Sequence, residues 1–391
     1  MVRITKIIAR EIIDSRGNPT VEAEAHTQDM FARACAPSGA STGKHEALEL
    51  RDGGARFGGK GVIKACENVN KLVSKRLTNR DFSSFEQIDA EMISLDGTPN
   101  KSRLGANATT AVSLACAKLL AGAEGQSLFE YLGGSILPVP MMNVINGGVH
   151  SGSGLSIQEF MIMPYGAKSF SESLKIGCEI YHQLGKSLKQ KFGPSAKNIG
   201  DEGGYAPPLK NTEEAIETME AAIQELGYEK EVGIALDAAS NSFYDAASKK
   251  YLIDGHALPP DRLAEFYESL ANKHRIVSIE DPFEEEDFAS FSRLKKAIGK
   301  KVQIVGDDLL VTQVSRIDKA MGLDCANALL LKVNQVGTLS ESIEAAKKCY
   351  RSGWGVIVSH RSGETEDTSI AEISVGIESG QIKTGAPARS E

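Results

Sequence analysis

The second half of the chain repeats one pattern, a short apolar run that ends in a charged residue. Ile234-Ala235-Leu236 is followed by Asp237, Ile276-Val277-Ser278-Ile279 by Glu280-Asp281-Pro282, and Ile304-Val305-Gly306 by Asp307-Asp308. Leu329-Leu330-Leu331 runs into Lys332, Ser359 into His360-Arg361-Ser362, and Ile382 into Lys383. One acid after a strand is ordinary turn chemistry. Six successive runs, each delivering an ionisable group, are hard to read that way. Asp237, Glu280 and Asp307 form an all-oxygen trio, and three carboxylates at one mouth repel unless a cation sits among them. Oxygen ligands without His or Cys select Mg²⁺ or Mn²⁺ over zinc, and Mg²⁺ keeps positions open for water and substrate. Lys332 has two readings: an amine snorkelling to the rim of a barrel, or a general base whose pKa burial and nearby positive charge lower.

Three further polar spots lie in the same half. Asn198-Ile199-Gly200-Asp201-Glu202-Gly203-Gly204 sets two acids in a glycine-rich loop. Gln158-Glu159 falls inside an apolar run, where a glutamate is costly unless it faces a polar cavity. His150, in Gly147-Gly148-Val149-His150, reads equally as a loop histidine or as part of a site. Gly39-Ala40-Ser41-Thr42-Gly43-Lys44 looks like a phosphate loop, but its glycines are one residue too close and His45 replaces the needed Ser or Thr. No Gly-x-Gly-x-x-Gly follows a strand and no Gly-x-Ser-x-Gly elbow occurs.

The elements that must position these groups fall into two kinds. Residues 4–13, 20–26 and 30–36 read as strands of an antiparallel meander, and the alternation of 21–26 predicts a half-exposed strand. Residues 37–43 are rich in Gly and Ser and read as a mobile loop. Helical patterns at 61–77, 84–95 and 106–121 complete an N-terminal α+β domain over residues 1–135, with Leu137-Pro138-Val139-Pro140 as the boundary. Beyond it, apolar strands near 140–145, 157–163, 232–236, 275–279, 302–306, 328–332, 355–359 and 381–384 mostly alternate with amphipathic helices. In helix 212–226, Ile216, Met219, Ile223 and Leu226 share one face, and Gly227 follows as a stop. Ser169-x-x-Glu172 and Thr338-x-x-Glu341 are capping boxes. This is the grammar of a (β/α)₈ TIM-like barrel over residues 139–391, an α/β fold whose active site is built at the strand C-termini. Only a glycine-rich loop separates the first two strands, so the barrel opens irregularly.

Composition excludes several classes. The 391 residues carry a net charge of −8, so no basic face advertises nucleic acid or anionic lipid. Six scattered cysteines without a Cys-x-x-Cys pair fit reduced cytosolic thiols rather than zinc or a disulfide framework. The N-terminus lacks a signal-peptide core, and the run 108–117 meets Lys118 too soon to span a bilayer, so a cytoplasmic protein is expected.

With these residues in view the chain resembles the enolase family, the phosphopyruvate hydratases of glycolysis. The matching stretches run in family order: Asp14-Ser15-Arg16-Gly17-Asn18-Pro19-Thr20, residues 37–43, 158–161, 200–204, 278–282, 329–335, the SHRSGETED of 359–367 and the GQIKTGAPARSE of 380–391. The resemblance implies that Lys332 removes the C2 proton of 2-phosphoglycerate while Glu202, assisted by Glu159, protonates the departing hydroxyl. It implies Asp237, Glu280 and Asp307 as ligands of one Mg²⁺ and Ser41 as the residue closing over a second. His150 and Gln158 become substrate-side residues, Arg361 and Ser362 phosphate contacts, and Lys383 a cation beside the substrate carboxylate and the base. A positioned base supplies about 10²–10⁴-fold, or about 3–5 kcal/mol, of the roughly 8–23 kcal/mol that enzymes need, so divalent charge must supply more. A Lys or His base with one or two Mg²⁺ ions is the established enolase-superfamily pattern. Lys383 near Lys332 is expected to help keep the base unprotonated.

The resemblance also implies a homodimer or higher homo-oligomer, and a few tens of residues beyond Ser390-Glu391. Gln313 stands where Asn is commoner, with no consequence to argue. Two alternatives remain: a superfamily racemase or cycloisomerase acting on another carboxylate, and a non-catalytic surface-binding protein on the same fold. The first usually carries a Lys-x-Lys pair on the second barrel strand, where this chain has Gln158-Glu159. The second is expected to have lost Lys332, Glu202 or a metal ligand, and all are present.

Overall fold

The structure, a computed structural model, describes residues 1–148 and 153–388. Among these residues, eight strands close into a barrel: Val139–Asn146, Glu159–Met163, Gly233–Asp237, Ile276–Glu280, Gln303–Gly306, Ala328–Leu331, Gly355–Ser359 and Gly380–Lys383. The second strand runs antiparallel to both its neighbours, and every other pairing is parallel. A loop without a crossover helix can join only antiparallel neighbours, which is why the irregularity expected after the first strand takes this form. The reversed strand leaves the chain at the barrel floor. Two helices, Phe170–Phe192 and Thr212–Glu225, then carry it up and back before the third strand. The turn between them comes up at the mouth, where Asn146 N–H donates to Tyr205 O (2.8 Å) and Tyr205 N–H to Val144 O (2.9 Å). That turn carries Glu202.

The strand period of two builds the site. Met141, Met161, Ala235, Val305, Ala328, Leu330 and Ile357 fill the barrel interior. Two residues further toward the mouth, the same strands present Glu159, Asp237, Asp307, Lys332 and Ser359. Helix starts follow the sequence signals. Ser169 Oγ accepts from Glu172 N (3.2 Å) and Thr338 Oγ1 from Glu341 N (3.4 Å), and Gly227 turns with φ +75° where helix Thr212–Glu225 has ended. A small sheet, Tyr244–Asp245, Lys250–Ile253 and His256–Leu258, interrupts the third crossover and has no counterpart in the sequence reading.

At the N-terminus, Lys6–Ile13, Pro19–His26 and Phe31–Cys35 form the expected meander, and helix Ala106–Ala123 packs on it. The middle strand is not half exposed: residues 19–25 are buried on both faces. The alternation is real, but the acids at its polar positions are covered by long cations, with Arg10 paired to Glu22 (3.3 Å) and to Glu24. Snorkelling arginines bury a face that patterning marks as wet. The meander docks on the barrel mouth through residues 359–367. Ser38 and Gly363 exchange backbone hydrogen bonds (2.8 and 2.9 Å), Ser15 N–H donates to Glu364 O (2.7 Å), and Arg16 Nη1 donates to Ser362 Oγ (2.9 Å).

Leu330 sits fully buried beneath Lys332 in the barrel interior. Leu330→Ala leaves a cavity there and is expected to cost about 2–5 kcal/mol, read as a lower denaturant midpoint. An unchanged midpoint would show that the barrel interior is not close-packed at this level.

Candidate active site

Seven side chains of the barrel mouth meet in one cavity with the loop residues Ala40 and Ser41: Glu159, Glu202, Asp237, Asp307, Lys332, Arg361 and Lys383. Its acidic half is organised by Lys383. The Lys383 ammonium donates to Asp237 Oδ2 (2.9 Å) and to both oxygens of Glu280 (3.0 and 2.9 Å), and lies 3.3 Å from Glu159 Oε1. Burial opposes its charge, but the carboxylates around it hold its pKa well above the usual lysine value. Gln158 Nε2 also donates to Asp237 Oδ2 (3.3 Å). Asp307 is held by Lys332 Nζ (2.5 Å) on one oxygen and by Gln335 Nε2 (2.7 Å) on the other.

The environment of Lys332 corrects one expectation. Burial pushes its pKa down, as do Arg361 and Lys383, yet the carboxylates of Asp307 and Glu280 carry the net shift upward. Lys383 acts in the expected direction, but its effect is smaller than that of Arg361 and does not reverse the shift. The same contact holds Asp307 below the usual carboxylate range despite its burial.

The remaining acids cannot all be ionised. Burial, then the charge of Asp237, pushes Glu280 well above the ordinary carboxyl value. Burial and the charge of Glu202 do the same to Glu159, one of whose oxygens has no hydrogen-bond partner among the described residues. Asp281 and Asp308, which the sequence reading passed over, belong to the cluster. Asp281 accepts from the backbone N–H groups of Asp307 (2.9 Å) and Asp308 (2.7 Å), fixing the turn after the fifth strand. Asp308, half-buried beside Asp307, is raised to about 7. Asp281, Asp307 and Asp308 offer carboxylate oxygens within 4.8 Å of one another. A crowded all-oxygen donor set in which Glu280, Asp281 and Asp308 are raised while Asp307 is lowered fits a hard divalent cation, which would replace protons as the compensating charge. The signal for Asp281 and Asp308 was adjacency: each follows a trio member directly, and Asp281 adopts a positive φ (+42°).

The opposite wall carries the cation Arg361. Arg361 Nη1 donates to Glu46 Oε2 (2.9 Å) and Asn334 Oδ1 (3.0 Å), and Nη2 to Ser41 O (3.1 Å) and Glu46 Oε1 (3.1 Å). Ser362 Oγ accepts from Ala40 N (2.7 Å), which brings the Gly-Ser loop over the mouth. Ser41 is exposed on that loop and touches the site through its carbonyl. Glu202 accepts from Asn143 Nδ2 (3.1 Å) and lies 3.6 Å from His360 Nε2. Asn143, Glu46 and Asn334 are thus site residues that the strand-end pattern alone did not single out, while His360 lay within it without an assigned role. His150 lies outside the described residues.

Comparison with known proteins agrees along the whole chain. Residues 4–132 match the family model described as the enolase N-terminal domain, and residues 134–391 the model described as the enolase C-terminal TIM barrel domain. The chain belongs to the enolase family. A curated enolase of Thermococcus gammatolerans is 56% identical over 393 residues, covering 99% of this chain and 91% of that protein. The enolase of Methanocaldococcus jannaschii is 55% identical over 392 residues, covering 99% and 92%. That of Pyrococcus furiosus is 54% identical over 393 residues, covering 99% and 91%. The chain is an enzyme of the hydro-lyase class, and its fold is the enolase barrel with an N-terminal α+β domain. No helix among the described residues is long and apolar enough to cross a membrane.

Lys383 neutralises more buried charge than any other side chain in this cluster. Lys383→Met removes that cation while keeping its bulk, and leaves Asp237 and Glu280 unpaired. The loss of a buried partner is expected to cost about 3–5 kcal/mol in chelator, with Mg²⁺ recovering part of it, read as thermal midpoints with and without the ion. A midpoint equal to the parent's in chelator would mean that the acids are neutral in the resting enzyme.

Proposed function

We propose that this enolase interconverts 2-phosphoglycerate and phosphoenolpyruvate plus water, with Lys332 as the base at C2 and Glu202, assisted by Glu159, as the acid at the C3 hydroxyl. The observation that carries the reading is the assembly of Lys332, Glu202 and Glu159 around one buried cavity lined by carboxylates on one side and by Arg361 on the other. Glu159, whose pKa burial and the charge of Glu202 raise well above the ordinary carboxyl value, suits the delivery of a proton. Asp237, Glu280 and Asp307 would hold the first of two Mg²⁺ ions, with Ser41 reaching the second. When bound, divalent charge supplies electrostatic stabilisation of the dianion that forms as the C2 proton leaves. An Asp307 carboxylate that held such an ion would pull less on the proton of Lys332, which that carboxylate otherwise retains. Lys383 then lies beside the substrate carboxylate. Arg361 and Ser362 take the phosphate, and Gln158 and His150 contact the substrate.

On the same reading the protein is a cytoplasmic glycolytic enzyme, assembled as a homodimer or larger homo-oligomer. It divides the chain into residues 1–135, carrying the Ser41 loop as a moving part, and residues 139–391, carrying the site.

An ultraviolet assay for the enol product, run with Mg²⁺ and then with excess chelator, tests this directly. Turnover with Mg²⁺ and its loss in chelator are expected. Lys332→Ala is expected to lose at least about 10²-fold in kcat. Turnover at the parent rate in that variant would remove Lys332 from the mechanism.

A further inference from the structure

Arg361 is gripped from one side by a residue with no role in the chemistry above. We propose that Glu46 is the positioning residue of the anion subsite: its carboxylate aims the Arg361 guanidinium and ties the Ser41 loop to it. The inference rests on the enolase reading and deepens it.

The pair is bidentate, Nη1 to Oε2 at 2.9 Å and Nη2 to Oε1 at 3.1 Å, and both side chains are nearly removed from solvent, 3% exposed for Arg361 and 8% for Glu46. A fork-on-fork contact fixes the plane of the guanidinium as well as its position. Asn334 Oδ1 and Ser41 O take further N–H groups of the same terminal nitrogens. So committed, the group cannot turn about its own axis and offers a fixed edge to the cavity.

Glu46 also acts on the loop. Its Oε1 accepts from Gly43 N (3.0 Å), so one carboxylate holds both the end of the loop and the cation beneath it. The adjoining backbone is pinned to the barrel: Lys44 N–H donates to Glu285 Oε2 (3.0 Å), and His45 Nε2 meets Glu286 Oε1 (2.8 Å). At the other end, Ser38 is bridged to Gly363. The loop is therefore strung between two anchors across the guanidinium. Gly39 lies so close that an added Cβ would come within 2.1 Å of Arg361 Nη2. Loop position and cation orientation are one structural variable, and Glu46 sets it.

The test compares the full-length parent with Glu46→Gln and Glu46→Asp, in Mg²⁺, by steady-state kinetics and by calorimetric titration with inorganic phosphate. Glu46→Gln keeps the shape and removes the charge. It is expected to raise KM for 2-phosphoglycerate and to weaken phosphate binding, each by about tenfold, with kcat within about threefold. Glu46→Asp restores the charge on a shorter arm and is expected to recover part of the loss. It also decides the matter alone should Glu46→Gln fail to fold: an increase in KM of about threefold supports the proposal, and none overturns it. KM and phosphate binding of Glu46→Gln within twofold of the parent would reduce Glu46 to a structural residue. Tighter phosphate binding would make it a competitor of the anion, and a fall in kcat alone would put its effect elsewhere; each of these overturns the proposal. A parent without turnover would sink the enolase reading instead, while the phosphate titrations, which need no turnover, would still decide on Glu46.

Discussion

The barrel mouth is governed by one imbalance: buried carboxyl groups outnumber the cations that face them. Lys383 and Lys332 are shared among Asp237, Glu280, Glu159 and Asp307, while Asp281 and the half-buried Asp308 form hydrogen bonds but no ion pair among the described residues. Taking a carboxylate out of water costs several kcal/mol unless opposite charge or a proton compensates. The raised pKa values of Glu159, Glu280, Asp281 and Asp308 are that cost expressed as proton affinity. A site that needs further positive charge to become fully ionised would suit a divalent ion, and its acids would shed protons on taking one up. The pairing of Lys332 with Asp307 belongs to the same balance. On the proposed reading, the amine that would serve as base is also the counterion that Asp307 draws on.

The topology explains how so many charges reach one plane. A regular (β/α)₈ barrel presents strand C-termini at its mouth. Here the second strand is reversed, so its first residue, Glu159, stands beside Asp237 at the mouth. The reversed strand ends at the floor, from which two helices carry the chain up and back before the third strand, and the turn between them brings Glu202 to the rim. Glu159 and Glu202 thus both depend on the same departure from regular barrel order, and a crossover helix after the first strand would have put Glu159 at the floor.

Much of this was legible beforehand because it is written in periodicity. All eight barrel strands lie within two residues of the expected ones, since a run buried on both faces has a length and a composition that few other elements share. The trio, Lys332 and Lys383 stood out as charges breaking apolar runs. What escaped is set by contact rather than by pattern. The direction of the Lys332 shift depends on whether Asp307 or Lys383 stands nearer its amine, and spacing along the chain carries no such information. The wet face expected for residues 21–26 is dry because Arg10 reaches across from the neighbouring strand. Glu46 gave no signal either, being one acid in a segment that already holds Glu49 and Asp52.

The N-terminal meander contributes no barrel strand, yet the anion wall cannot form without it. Arg361 and Ser362 belong to the loop after the seventh strand, and that loop takes its shape from partners across the junction: Ser15, Arg16, Ser38, Ala40 and Glu46. The cation half of the site is therefore pre-organised by docking, whereas the acidic half is pre-organised by the barrel alone. This division has a physical logic. The acids need rigid strands, because a displacement of an ångström among like charges changes their repulsion steeply. Arg361 and Ser362 instead take their partners from a segment that contributes no strand to the barrel.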